Sequence, residues 1–92
     1  MLQLDDLVCV NSNNLSTTID GETVVLDIAT GVYLNLNVMG SEIFRRLEQE
    51  MTLRDLCAVL SCEFSASSEQ IEREVISFAS RLHDAGLIRL VK

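Results

Sequence analysis

The stretch "LDIATGVYLNL" (residues 26–36) decides how the rest of this 92-residue chain is read. Its apolar residues, Leu26, Ile28, Val32, Tyr33, Leu34 and Leu36, lie on both sides of a bend at Thr30-Gly31, the pattern of two short antiparallel strands. Between Gly31 and Leu36 the second strand has no charge and no proline, and a helical pattern begins directly after it at Asn37. A strand left at the edge of a sheet is usually blunted by Lys, Pro or a bulge. This one is not, so something must cover it. Either the chain's own tail or N-terminal strand does so, or the missing strand belongs to another molecule; an uncharged, proline-free edge favours the second.

Toward the N-terminus, Leu7-Val8-Cys9-Val10 is a short strand ended by the turn formers Asn11-Ser12-Asn13-Asn14. Leu15–Ile19 is polar and Thr-rich, extended but weakly marked, and Asp20-Gly21 is a hairpin signal. Thr23–Ile28 is the clearest strand, with Val24, Leu26 and Ile28 on one face and Val25 on the other. Val32, Leu34 and Leu36 then share a face, opposite Tyr33 and Asn35. The expected result is a three-stranded antiparallel meander whose last strand is an edge.

Three helices are predicted after it. Asn37 can cap the first, whose buried stripe is Ile43, Phe44 and Leu47. Thr52-Leu53-Arg54-Asp55 opens the second, with Leu53, Leu56, Cys57 and Leu60 at helical spacing. Ser67-Ser68-Glu69-Gln70 reads as a capping box for the third, which carries Ile71, Val75, Phe78 and Leu82 inward and stops at Gly86. Leu87–Val91 forms a last short strand or an extended tail. The fold class is α+β, winged helix-turn-helix-like, in one domain over residues 1–92.

Composition narrows the function. The hydrophobic fraction of 48% suits a globular chain, and no apolar run approaches the ~18 residues of a membrane span. The acidic N-terminus lacks the basic start of a secretory signal, so a cytoplasmic location is expected, with no membrane partner. Three cysteines, Cys9, Cys57 and Cys62, with no short C-x-x-C pair, make neither a disulfide framework nor a metal site. One histidine, His83, has no ligand-type partner at helical spacing, and the four glycines are too scattered for a phosphate loop. No catalytic residue, metal or cofactor is expected.

Net charge is −7, and residues 1–44 hold six acids (Asp5, Asp6, Asp20, Glu22, Asp27, Glu42) with no Lys or Arg. That distribution repels phosphate. A winged-helix transcription regulator would need a basic or amide-rich start to its third helix, and Glu69, Glu72 and Glu74 oppose one Arg73 there. No nucleic-acid partner is expected. Two binding modes remain: strand addition of a peptide to residues 31–36, and self-association through the same edge. On a helical wheel the stripe beside the third helix's core face is Glu72, Ile76, Ala79 and His83, which could wall a peptide groove.

The strings "VVLDIATGVYLNLNVMGSEIFRRL", "TLRDLCAVL" and "EREVISFASRLHDAGLI" resemble the family of coenzyme PQQ synthesis protein D, which includes recognition domains of ribosomally synthesised, post-translationally modified peptide (RiPP) pathways. The matching positions are Leu26-Asp27, Gly31, Tyr33, Leu36-Asn37, Gly40, Ile43, Glu74-Val75, Phe78, Leu82 and Ala85-Gly86-Leu87, within residues 22–90. Glu74 stands where the family more often has Asp, and Val32-Tyr33-Leu34 is less polar than in many members. The second departure points away from PQQ synthesis itself and toward another peptide pathway, such as that of a lasso peptide. The resemblance implies a non-catalytic element that holds the leader segment of a precursor peptide as an added strand. It would deliver that peptide, in the manner of a chaperone, to a modifying enzyme or leader peptidase. Carried onto this chain, the pairing edge is Val32, Tyr33, Leu34 and Asn35. Arg73 is a candidate partner for an acidic leader residue, beside the wall of Glu72, Ile76, Ala79 and His83. Residues 1–21 match nothing in the family pattern.

Overall fold

The computed structural model describes residues 2–91. Its elements run β1 (Leu7–Val10), β2 (Asn14–Ile19), β3 (Glu22–Asp27), β4 (Tyr33–Leu36), α1 (Val38–Arg46), β5 (Met51–Thr52), α2 (Leu53–Glu63), α3 (Ser68–Asp84) and β6 (Ile88–Leu90). The meander followed by three helices is present, but it is built from β2, β3 and β4. Leu7–Val10 does not join it. β1 pairs instead with β6 and β5 in a second three-stranded sheet, with Val8 opposite Leu90 and Met51. Long-range pairing of this kind leaves no local pattern, which is why a two-residue strand such as β5 is invisible in sequence.

The helix ends follow their residues. Asn37 Oδ1 accepts the Gly40 N–H at 2.8 Å, and Thr52 Oγ1 accepts the Asp55 N–H at 3.1 Å. Ser67 Oγ accepts the Gln70 N–H at 3.2 Å, but the reciprocal half of the expected box is missing, because the Gln70 amide donates to Glu74 Oε1. At the far end of α3, Gly86 takes φ +80°, and the Leu87 and Gly86 N–H groups close back onto the carbonyls of Leu82 and His83. This two-bond stop turns the chain sharply into β6.

One core joins the two sheets to the helices. Val8, Val25, Leu47, Leu53, Leu56, Leu60, Ile71, Val75, Ala79 and Leu82 are fully buried within it. On β3 the buried face is Thr23, Val25 and Asp27, whereas Val24 and Ile28 are exposed and Leu26 is half-buried. The face richest in apolar residues therefore points outward. Across the strands, Leu15, Leu26 and Tyr33 stand in one row of that outer face, with Thr17, Val24 and Asn35 in the next. β4 obeys its expected alternation: Leu34 and Leu36 face the core, Tyr33 and Asn35 do not.

The meander is fastened to α1 by a hydroxyl. Ser41 Oγ, buried, accepts the Thr23 N–H at 2.8 Å and donates to the Leu36 carbonyl at 3.1 Å, replacing the ladder bond expected between those two strand residues. Ser41→Ala would leave a buried donor and a buried acceptor unsatisfied. The expected cost is about 2 kcal/mol, a fall in Tm of roughly 8–16 °C in a thermal melt followed by circular dichroism.

Candidate functional site

The turn before β4 positions its edge. Asp27 Oδ1 accepts the Ala29 N–H at 3.0 Å, the Asp27 carbonyl accepts the Gly31 N–H at 2.8 Å, and Gly31 takes φ +74°. That left-handed φ favours glycine strongly over residues with a Cβ. The Asp27 N–H donates to the Val32 carbonyl at 2.9 Å, which fixes the phase of the ladder. Antiparallel partners alternate between hydrogen-bonded and non-bonded pairs. With Leu26 opposite Tyr33 and Val24 opposite Asn35, the alternation turns the backbone of Leu34 toward β3 and that of Tyr33 and Asn35 away from it. The outer side of β4 thus offers two N–H and two C=O groups, and among the described residues no strand pairs with it. The chain's own N-terminal and C-terminal strands are engaged with each other, not with this edge.

Beside the edge lies a groove of about 750 Å³, lined on one side by Asn35, Leu36 and Asn37 and on the other by α3. Its floor includes Met39, Ile43 and the half-buried Phe78. Gly40 lets α1 approach α3 there: a Cβ in its place would lie 2.9 Å from the Phe78 ring. The α3 residues on the groove are Gln70, Arg73, Glu74, Ser77, Phe78 and Arg81.

Of the residues expected from sequence, Asn35 and Arg73 line this groove. Tyr33 lies on the same edge, its side chain 65% exposed on the outer face of the sheet. Leu34 carries its side chain inward and its backbone toward β3. Val32 precedes the strand; its carbonyl bonds to Asp27, and its N–H donates to Thr30 Oγ1 at 3.3 Å. The stripe Glu72, Ile76, Ala79 and His83 is on the other flank of α3, away from the groove. Ala79 is fully buried, Ile76 packs on the core, and beside them Ser80 Oγ accepts the Leu2 N–H at 3.3 Å. Glu72 faces α2, where burial, followed by this carboxylate, pushes the Cys57 thiol up. His83 is exposed in the last turn of α3. Sequence reasoning missed Ser77, Arg81 and Met39. Ser77 and Arg81 share a helical face with Arg73, but that face is polar and was not marked by periodicity.

All three cysteines are free, Cys57 buried and Cys62 exposed. Among the described residues no cluster of His, Cys, Asp or Glu is arranged to hold a metal ion, and no helix is long and apolar enough to cross a membrane.

A small winged-helix-like α+β domain with an open strand edge alongside a helix-walled groove is the class that fold and site define. The family model of coenzyme PQQ synthesis protein D (PqqD) matches residues 22–88, from the start of β3 to the first residue of β6. The chain belongs to that family. Among solved structures it is similar to TbiB1 in complex with the TbiA(beta) leader peptide, with 27% identity and a TM-score of 0.81 over 88% of this chain and 94% of that one. Its fold also matches a lasso peptide synthetase B1 complexed with the leader peptide, at 22% identity and a TM-score of 0.78, covering 89% and 96% of the two chains. A search of curated protein sequences gave no match.

Proposed function

We propose that this chain is a stand-alone recognition element of a RiPP pathway, which captures the leader segment of a precursor peptide and catalyses nothing itself. The observation that carries the reading is the open, uncharged β4 edge placed beside a groove of about 750 Å³ walled by α3. An extended leader adds to that edge through the backbone of Tyr33 and Asn35. Its alternate side chains enter the groove over Met39 and Phe78, against the α3 face of Arg73, Ser77 and Arg81. Membership of the PqqD family supports this, as does similarity to two proteins solved with leader peptides. The partner that receives the captured peptide is a modifying enzyme or a leader peptidase, with a lasso peptide pathway favoured, and the work is done in the cytoplasm.

Ordering a ten-residue flexible leader costs on the order of 1–2 kcal/mol per residue. Backbone pairing and two or three apolar anchors at ~1.5–3 kcal/mol each offset that. The net affinity is expected between about micromolar and tens of nanomolar. Fluorescence anisotropy with the labelled leader of a RiPP precursor from the same pathway tests the reading; saturable binding in that range supports it, and none at ~100 μM protein counts against it.

The uncovered apolar face of Leu15, Val24, Ile28 and Tyr33, together with the open edge, also suits pairing of two copies. Sedimentation without peptide separates the readings, because a self-paired edge would give concentration-dependent dimers that leader peptide dissociates.

A further inference from the structure

Resting on that reading, we infer that the groove selects extended peptides in which two acidic side chains flank a large apolar one, at positions i, i+2 and i+4. Arg73, Ser77 and Arg81 follow one another at intervals of four residues along the groove face of α3. A helix rises ~1.5 Å per residue, so the two arginines are ~12 Å apart along its axis. In an added strand the side chains facing one way are every second residue, and four residues span ~13 Å. The two spacings match.

Among the described residues the arginines are also unengaged. Arg45 and Arg46 are held by Glu42, Arg46 also by Glu63, and Arg54 by Asp5. Among the described residues neither Arg73 nor Arg81 makes an ion pair or a side-chain hydrogen bond, although the chain has 14 acids. The groove's single carboxylate, Glu74, accepts from the Gln70 amide at 3.4 Å. Two guanidiniums against one carboxylate leave the lining at +1 in a chain of net charge −7. A guanidinium facing a groove presents a planar fork suited to a carboxylate. Between the two, the small Ser77 leaves room above Phe78 and Met39 for an apolar anchor. The acids of the meander do not oppose this arrangement, since Asp20, Glu22 and Asp27 are outside the groove, and Glu42 of α1 is paired.

The test is a phage selection of random twelve-residue peptides on the full chain, run in parallel on Arg73→Glu, Arg81→Glu and Asn35→Pro, each checked for folding by circular dichroism. The wild-type chain is expected to enrich Asp or Glu four residues apart with an aromatic or large aliphatic residue midway. A selected peptide should bind either Arg→Glu variant about 10-fold more weakly, and changing one of its acids to Lys should restore binding to the matching variant. Apolar-patterned peptides that are lost on Asn35→Pro but show no acidic preference would overturn the inference and leave the strand-addition reading standing. Peptides indifferent to Asn35→Pro, or no enrichment at all, would remove both.

Discussion

Asn35→Pro is expected to weaken leader binding on the order of 30-fold or more, whereas Asn35→Ala leaves it within about threefold. The contrast isolates the backbone. The Asn35 N–H points away from β3, so proline removes no bond of the chain's own ladder, and an edge strand with that orientation is where proline is tolerated. What is lost is the donor to the added strand. The peptide carbonyl it served is then desolvated without a partner, at about 1–3 kcal/mol, and the ring obstructs close approach of the peptide. Alanine keeps the donor and removes only a side chain that sits on the outer row with Val24 and Thr17. Anisotropy titrations of both variants, with circular dichroism to show that each retains its fold, give the comparison. Equal losses from the two substitutions would mean that the Asn35 amide side chain, and not strand pairing, holds the peptide.

The second large effect concerns two neighbouring valines. Val25→Asp is expected to cost more than about 3 kcal/mol, enough to leave a domain of this size mostly unfolded near its melting range, and Val24→Asp no more than about 1 kcal/mol. Val25 is completely buried between the meander and the helices, where a carboxylate would have no partner and the apolar contact would be gone. Val24, one residue away and 38% exposed, lies on the outer face, where a charge remains hydrated. Urea denaturation of the pair reads the difference directly. A mild Val25→Asp together with a severe Val24→Asp would reverse the face assigned to β3.

Those valines also show where sequence reading stops. The meander, its open edge and the three helices were legible because each is marked locally: Asp20-Gly21 and Thr30-Gly31 for turns, Asn37, Thr52 and Ser67 for helix starts, Gly86 for the last stop. Which face of β3 goes inward was not. Val24, Leu26 and Ile28 make the more apolar set, yet the inward set is Thr23, Val25 and Asp27. Thr23 and Asp27 can be inside because the former's hydroxyl is hydrogen-bonded to the Thr18 hydroxyl at 3.0 Å and the latter's carboxylate accepts the Ala29 N–H, both consequences of a fold that the strand does not encode alone. The wall of the groove failed to show for a related reason. A helical wheel finds the core stripe of α3 and two flanks, and Ile76 and Ala79 made one flank look like a surface for a partner. The chain packs that flank with its own core and sets Ser80 against Leu2. The polar flank, with Arg73 and Arg81, is turned to β4. Handedness of packing chooses between flanks, and periodicity carries no information about it.

Strand addition to β4 is read directly by amide hydrogen exchange, followed by NMR across residues 32–36 with and without the leader peptide. In the free chain the Tyr33 and Asn35 amides should exchange rapidly, since nothing described in the structure accepts from them, while Leu34 is slowed by its bond to β3. On binding, Tyr33 and Asn35 should slow by about tenfold or more, with Leu34 changing little. Leader binding at full affinity with Tyr33 and Asn35 unchanged would rule out strand addition and place the peptide away from β4.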